Sequence, residues 1–465
     1  MSLVLSQQYA ETFPNLVSQH RVKPLDSARI RLFNQSLATE FGLADRTVNA
    51  LREWCLGNVA QVGHAQKYVG HQFGVFNPDL GDGRGVLLGE LSNKAGELSD
   101  LHLKGAGPTA YSRGGDGRAV LRSSLREYFA SETLHHWNIA TTRALALVSS
   151  HQGIQRERIE PGAMLARVAK THVRFGHFEY CYSERLVSEQ KQLWQHVMQR
   201  CWPALVDAEP VEQFRAVVKA TAEMIADWQA FGFIHGVMNT DNMSICGETF
   251  DFGPYTVFDT FIPQQIFNHT DQRGRYSFLR QPSVGLWNLQ RLSQALSLIF
   301  PVDALAPVLN DYEDFLQQYY LKRMRKRLGL APGDDADAFK LVGEWMGLMQ
   351  RFEWDFQGSF IMLQNILRGE QAMPNDTLFK AWYDNYMGYN ERQPELSTMA
   401  QSNPHVSLRN HHLVEVITQA EQGNWAPAES YLAALTGEPL SAEELGHWQQ
   451  PPMEGEQVNS LSCSS

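Results

Sequence analysis

The sequence predicts an α+β protein of two lobes, a strand-rich N-terminal lobe and a helical C-terminal lobe with extra helices. Three observations predict it. The chain has 465 residues, more than one simple core accommodates. Between Tyr68 and Thr171, short apolar runs with strand-like patterning alternate with glycine-rich turns. From about Ser183 the chain turns helical, and after a central loop, a strand-like TVFDTFI and a polar, glycine-bearing segment, helix follows helix from Ser283 to about Leu435. The expected division is 1–180 for the first lobe, 181–449 for the second, and 450–465 for a mobile tail rich in Pro, Gln, Ser and Glu.

Composition excludes several classes. A net charge of −11 disfavours a nucleic-acid surface as the main business of the chain. No apolar run approaches the ~20 residues that span a bilayer. The first twenty residues have no secretory or Arg-rich transit pattern. The five cysteines, Cys55, Cys181, Cys201, Cys246 and Cys463, form no CxxC, so neither a disulfide scaffold nor a zinc site is expected, and a reducing compartment is.

Taken in order, residues 28–58 read as helical, with Ile30, Leu32, Phe33, Leu37, Phe41 and Leu43 as the apolar stripe. From Tyr68 the chain becomes glycine-rich. Gly81, Asp82, Gly83 and Arg84 form a loop ahead of a strand at Val86–Leu91. Glycines allow backbone N–H groups to approach a phosphate, and Arg84 adds a charged fork, although Asp-Gly is also the commonest hairpin turn. A second strand, with Leu101 and Leu103 alternating with His102 and Lys104, puts Lys104 at a strand end. A second Gly-Asp-Gly-Arg, at Gly115–Arg118, opens a helix bearing Glu127, which can pair with the strand lysine. Strands are expected at Thr141–Val148 and Ala163–Thr171. Arg167 lies in the second, and Arg174 follows it. Helices are expected at Glu184–Arg200 and Pro210–Phe231, and then repeatedly beyond Ser283. KRMRKR at 322–327 reads as a solvated helix face.

The stretch His235–Pro254 concentrates the chemistry. His235, Asp241, Asn242 and Asp251 can each ligate a metal or move a proton, and Asp251 opens Asp-Phe-Gly. A protein kinase carries His-Arg-Asp, an Asn five residues after that Asp, and a later Asp-Phe-Gly. His235 and Asn242 keep the kinase separation, but Val237 stands where the kinase has its catalytic Asp. An acid appears instead at Asp241. The stretch therefore looks able to hold a nucleotide and a cation without the usual phosphorylation base.

These motifs together resemble the selenoprotein O (SelO/YdiU) family of pseudokinases that act as protein adenylyltransferases. The resemblance rests on YVGHQFGVFNPDLGDGRGVLLGE, LHLKGAGPTAYSRGGDGRAVLRSSLREY, FIHGVMNTDNMSI, and DFGP followed by NHTDQRGRYSF and QPSVGLWNLQRL. It implies a protein-kinase-like bilobal fold, ATP bound in a flipped orientation, and transfer of AMP to hydroxyl side chains of proteins. It further implies that Gly81, Gly83 and Arg84 lie in the glycine-rich loop and that Lys104 binds phosphates while pairing with Glu127. Asp116 and Gly117 would contact the nucleotide, Arg167 and Arg174 would line the pocket for the inverted phosphates, Asn242 and Asp251 would hold Mg²⁺ or Mn²⁺, and Asp241 would accept the proton. The expected partners are ATP and protein substrates with hydroxyl side chains, with no nucleic acid and no membrane. A cytoplasmic monomer is expected; eukaryotic relatives are mitochondrial.

The chain departs from the family at two places. Phe252 stands where many relatives have Tyr. Phe267 stands where some relatives have a Cys that pairs with a C-terminal Cys or selenocysteine, here Cys463, so a disulfide by that route is in doubt and Cys463 is expected to be accessible. Alternative functions on the same residues are uridylyl transfer from UTP with Mn²⁺, phosphoryl transfer, and a nucleotide-binding scaffold.

Overall fold

The computed structural model describes residues 5–42, 45–58 and 62–461. The alternating first part forms an antiparallel sheet. Its strands are β1 (Val17–Arg21), β2 (Arg29–Phe33) and β3 (Val62–Gln66). A separate two-stranded hairpin, β4 (Gly70–Gln72) and β5 (Val75–Asn77), follows. The sheet continues with β6 (Gly85–Ser92), β7 (Leu98–Lys104), β8 (Ala119–Val120), β9 (Arg143–Gln155) and β10 (Ile159–Ala169). The order is β1-β3-β6-β7-β10-β9-β2, with β8 added on β10.

The helices of this part are α1 (Gln8–Thr12), α2 (Gln35–Glu40), α3 (Asp45–Leu56) and α4 (Leu121–His136). The two-residue period of the strands divides the core. Leu101, Leu103, Met164 and Ala166 pack with Leu37 and Leu51 of α2 and α3. Ala163 and Leu165 face the other way, into the larger core with Leu125 and Phe129 of α4. Across β7 and β10, Lys104 pairs with Leu165 and His102 with Arg167. Directly opposed residues share a face, so Lys104 and Arg167 both project on the α4 side. The N-cap of α4, Val120, makes no side-chain cap bond. Burial of Leu125, Phe129 and Leu134, each worth roughly 1.5–3 kcal/mol, outweighs the ~1 kcal/mol of a missing cap and fixes the helix.

The second part is helical: α5 (Phe175–Ser183), α6 (Val187–Cys201), α7 (Pro210–Phe231), α8 (Gln281–Ala295), α9 (Val302–Asn310), α10 (Tyr312–Leu328), α11 (Asp335–Arg351), α12 (Phe356–Arg368), α13 (Thr377–Tyr389), α14 (Leu396–Ser402), α15 (Asn410–Glu421), α16 (Ala426–Leu435) and α17 (Ala442–Gln449). Pro210 opens α7 at the first turn, and Gly232 closes it with φ +68°. A two-stranded ribbon, β11 (Phe233–Ile234) with β12 (Thr256–Val257), then brackets the stretch that carries the chemistry. Among the described residues no helix is long and apolar enough to cross a membrane.

Several expectations need correction. Ile30, Leu32 and Phe33 belong to strand β2, not to a helix over 28–58, and Leu43 lies outside the described residues. The second Gly-Asp-Gly-Arg does not open α4, because the β8 bridge to β10 intervenes. Helix begins at Phe175, ahead of Ser183. The segment expected to be strand-like, TVFDTFI after Asp-Phe-Gly, contributes only the two residues of β12. KRMRKR is only in part a solvated face: Lys322 and Lys326 are exposed, but Arg327 is fully buried and donates to Asn403 at 2.9 Å, while Arg323 pairs with Asp227 at 2.5 Å. In the tail, Leu461 donates to the Phe267 carbonyl at 3.0 Å and accepts from His269 at 3.1 Å. Cys463 lies outside the described residues.

Candidate active site

A cleft of about 650 Å³ opens between the sheet and the His235–Pro254 stretch. Of the residues singled out from the sequence, Gly81, Gly83, Arg84, Lys104, Asp116, Gly117, Arg167, Arg174, Asp241, Asn242 and Asp251 all line it. Glu127 sits behind Lys104, fully buried.

A chain of ion pairs crosses the cleft floor. Glu127 accepts from Lys104 with one carboxylate oxygen and from Arg167 with the other. Arg167 also lies 3.1 Å from Asp251, and Arg174 takes the second Asp251 oxygen. The same Arg174 nitrogen donates to the Asp241 backbone carbonyl at 2.6 Å. The Arg174 guanidinium is sandwiched between Tyr68 and Phe250, 4.5 Å from each ring centre. Arg167 and Arg174 are therefore buried elements of the site rather than surface arginines.

Electrostatics follow from this packing. Burial lowers the Lys104 ammonium to about 8; Arg84 and Arg167 push the same way, and Glu127 opposes. Burial would raise Glu127 and Asp251, but the cations beside them win, holding both below the ordinary carboxylate range. Asp241 behaves oppositely. Burial raises it to about 6, against the pull of Arg174 and the Gln72 amide. Gln72 donates to one Asp241 oxygen at 3.2 Å, while the other oxygen is buried without a hydrogen-bond partner. Asp251 has φ +56°, a left-handed conformation held by its ion pairs.

Local chemistry positions these groups. Asn242 donates through its amide nitrogen to the Val237 carbonyl at 3.0 Å, which leaves the amide oxygen as its ligand atom. His235 is structural: one ring nitrogen donates to the Phe250 carbonyl at 3.0 Å, and the other accepts from the Val237 amide at 3.3 Å. The β4–β5 hairpin grips the loop from outside, with His71 N–H donating to Thr240 at 2.7 Å and Phe73 N–H to the Asn239 side-chain oxygen at 3.2 Å.

The two Gly-Asp-Gly-Arg copies differ in role. A Cβ at Gly81 would stand 2.5 Å from the Tyr111 ring, and one at Gly117 would stand 2.1 Å from the Gly107 carbonyl oxygen. Asp82 is buried. Burial would raise it, but His102, Arg174 and the Gln66 amide bring it down to about 2. Asp116 is exposed, and Arg156 holds it with two bonds of 2.8 and 2.9 Å. Arg118 donates to the carbonyls of Lys23 at 2.5 Å and Pro24 at 3.2 Å, so it ties loops together. Arg84 projects, exposed, at the cleft mouth. The sequence reading missed Arg156, Tyr68, Gln72 and Asp82. Only Asp82 carried a signal, its matching place beside Asp116 in the repeated tetrapeptide.

An arrangement of this kind offers charge-assisted contacts to an anion on one wall and oxygen ligands to a hard cation on the other. It defines a class of protein in which a strand lysine, a helix glutamate and an Asp-Phe-Gly aspartate meet in one cleft. Comparison with known proteins gives the chain its family. A family model described as protein adenylyltransferase SelO matches residues 2–436. The protein nucleotidyltransferase YdiU of Klebsiella pneumoniae (strain 342) is 43% identical over 485 residues, covering 100% of both chains. Proteins of the same name are 47% identical in Chromohalobacter salexigens, over 86% of this chain and 83% of the relative, and 40% identical in Vibrio cholerae, over 99% and 98%. The chain belongs to the SelO family.

Proposed function

We propose that this chain, on a protein-kinase-like scaffold, transfers a nucleotidyl group, AMP from ATP, to Ser, Thr or Tyr hydroxyls of proteins, with release of pyrophosphate. The observation that carries the reading is the ion chain Lys104–Glu127–Arg167–Asp251–Arg174 beside a buried Asp241 carboxylate with one unpartnered oxygen. The family and the names of its relatives support nucleotidyl transfer.

The residues present suit a hard divalent ion, Mg²⁺ or Mn²⁺. Asp251 and the Asn242 amide oxygen provide oxygen ligands at one end of the cleft, and the unpartnered Asp241 oxygen lies in the same stretch. When bound, such an ion neutralises charge on the phosphates. The rest falls to the protein. Lys104, Arg167 and Arg174 hold the β- and γ-phosphates of an inverted ATP, with Arg84 closing over them, while Asp116 and Gly117 contact the nucleotide. The guanidiniums of Arg167 and Arg174 exchange Asp251 for phosphate oxygens as the nucleotide enters. That leaves the α-phosphorus toward Asp241. The substrate hydroxyl oxygen bonds to that phosphorus, the bond to the bridging oxygen of pyrophosphate breaks, and the hydroxyl proton passes to Asp241. Val237, in the kinase base position, cannot accept a proton, which argues against phosphoryl transfer. The intact ion chain argues against an inert scaffold.

The relatives' names specify nucleotidyl transfer without naming the base, so uridylyl transfer from UTP with Mn²⁺ is the second reading. Intact-mass analysis of the protein after incubation with ATP or UTP, each with Mg²⁺ or Mn²⁺, tests both. Added AMP supports the proposal, added UMP the second reading, and added phosphate overturns both.

A further inference from the structure

Far along the chain from the cleft residues, His412 and Glu415 lie three residues apart on α15, and His447 approaches them from α17. One ligand atom from each lies within 4.8 Å of the other two. His447 Nε2 is 3.2 Å from both Glu415 oxygens, and His412 Nδ1 is 3.6 Å from Glu415 Oε2. Ligand atoms around a tetrahedral ion with bonds of ~2.0–2.1 Å stand about 3.4 Å apart, close to the 3.2 and 3.6 Å that separate the two histidine nitrogens from Glu415.

A second observation points to a ligand. The His412 ring is only 3% exposed; the Gln450 backbone offers it a weak contact, and neither ring nitrogen makes a full hydrogen bond. A buried imidazole without full hydrogen bonds is costly, and the rings packed on it, His411, His447, Tyr431 and Trp448 at 3.9, 5.3, 5.3 and 5.1 Å, satisfy its ring faces rather than its nitrogens. Glu415 and His447 are partly open to solvent, at 40% and 49%, and give an ion its path of entry.

We propose that His412, Glu415 and His447 form a site for a divalent late transition ion, Zn²⁺ first, with water as the fourth ligand. Two imidazoles and one carboxylate suit Zn²⁺ and disfavour Mg²⁺, which prefers oxygen ligands. The site staples α17 to α15. The first residue of α15, Asn410, accepts from Arg126 of α4 at 2.8 Å, next to Glu127 in sequence. The ion thus braces a helix that supports the cleft, without entering it.

The test uses the full chain, stripped with chelator and held in excess Mg²⁺ so that the oxygen-lined cleft is satisfied. Zn²⁺ alone is titrated by calorimetry and by thermal unfolding. Wild type should bind one equivalent, with a raised Tm. His447→Ala and Glu415→Gln, at partly exposed positions that tolerate substitution, should each weaken binding by about 100-fold or more and lose the Tm shift. Co²⁺ in the wild-type site should give a tetrahedral visible spectrum that both variants lack. Absence of a stoichiometric Zn²⁺ equivalent in wild type, or undiminished binding in both variants, overturns the proposal.

Discussion

One nitrogen of Arg174 joins two parts of the candidate site, donating both to the Asp251 carboxylate and, at 2.6 Å, to the Asp241 carbonyl. The proposed metal ligand and the proposed base are therefore registered to each other by a single guanidinium. Arg174→Ala should lower kcat/KM by roughly 10²-fold, with much of the loss appearing as a raised KM for ATP. Arg174→Lys should restore charge but not the two-way contact, and should recover only part of the rate. Steady-state kinetics on folded protein, checked by circular dichroism, decide this. An unchanged KM and kcat in Arg174→Ala would mean that the residue only packs.

Asp251→Asn keeps a residue type that tolerates φ +56° while removing the charge. Transfer should fall by about 10²-fold or more, and the secondary structure should survive. Near wild-type transfer by the folded variant would remove Asp251 from the metal assignment.

Asp241 must be ionised to accept a proton, and burial lifts its carboxyl to about 6. The sign follows directly: kcat/KM should be level above that pH and fall about tenfold per unit below it. Asp241→Asn should lower the rate by roughly 10²–10⁴-fold and abolish the acid limb. A limb that persists unchanged in the variant would assign the titration to another group.

The arginines of the two Gly-Asp-Gly-Arg copies should separate by experiment. Arg118→Ala leaves the Lys23 and Pro24 carbonyls without their donor, and should lower stability by about 1–3 kcal/mol. Arg84→Ala should leave Tm within error and weaken nucleotide binding. Calorimetric unfolding beside nucleotide titration reads both, and equal effects in the two variants would contradict the division.

The sequence exposed the local parts of this site more readily than its connections. Lys104 at a strand end and Glu127 on the next helix were readable because each position follows from strand and helix patterning. The contacts of Arg167 and Arg174 with Asp251 were not, because they join residues 84 and 77 positions apart, which no local period encodes. The segment Arg29–Phe33 was misread because Ile30, Leu32 and Phe33 fit a helical stripe about as well as a strand, and only pairing with β9 decides. KRMRKR misled for a different reason: a charge run looks solvated until Asp227, Asn403 and Gln357 arrive from other helices. Arg156 gave no signal, since its partner Asp116 lies on a separate turn.

In the proposed reaction Lys104, Arg167 and Arg174 grip the β- and γ-phosphates while the α-phosphorus faces Asp241. The most direct test incubates the protein with ATP radiolabelled at either the α- or the γ-phosphate and follows label in protein together with pyrophosphate release. Label should come from the α-position alone, with pyrophosphate in step with it, and a phosphodiesterase that cleaves AMP should remove the label. Label from the γ-position, with none from the α-position, would contradict that reaction.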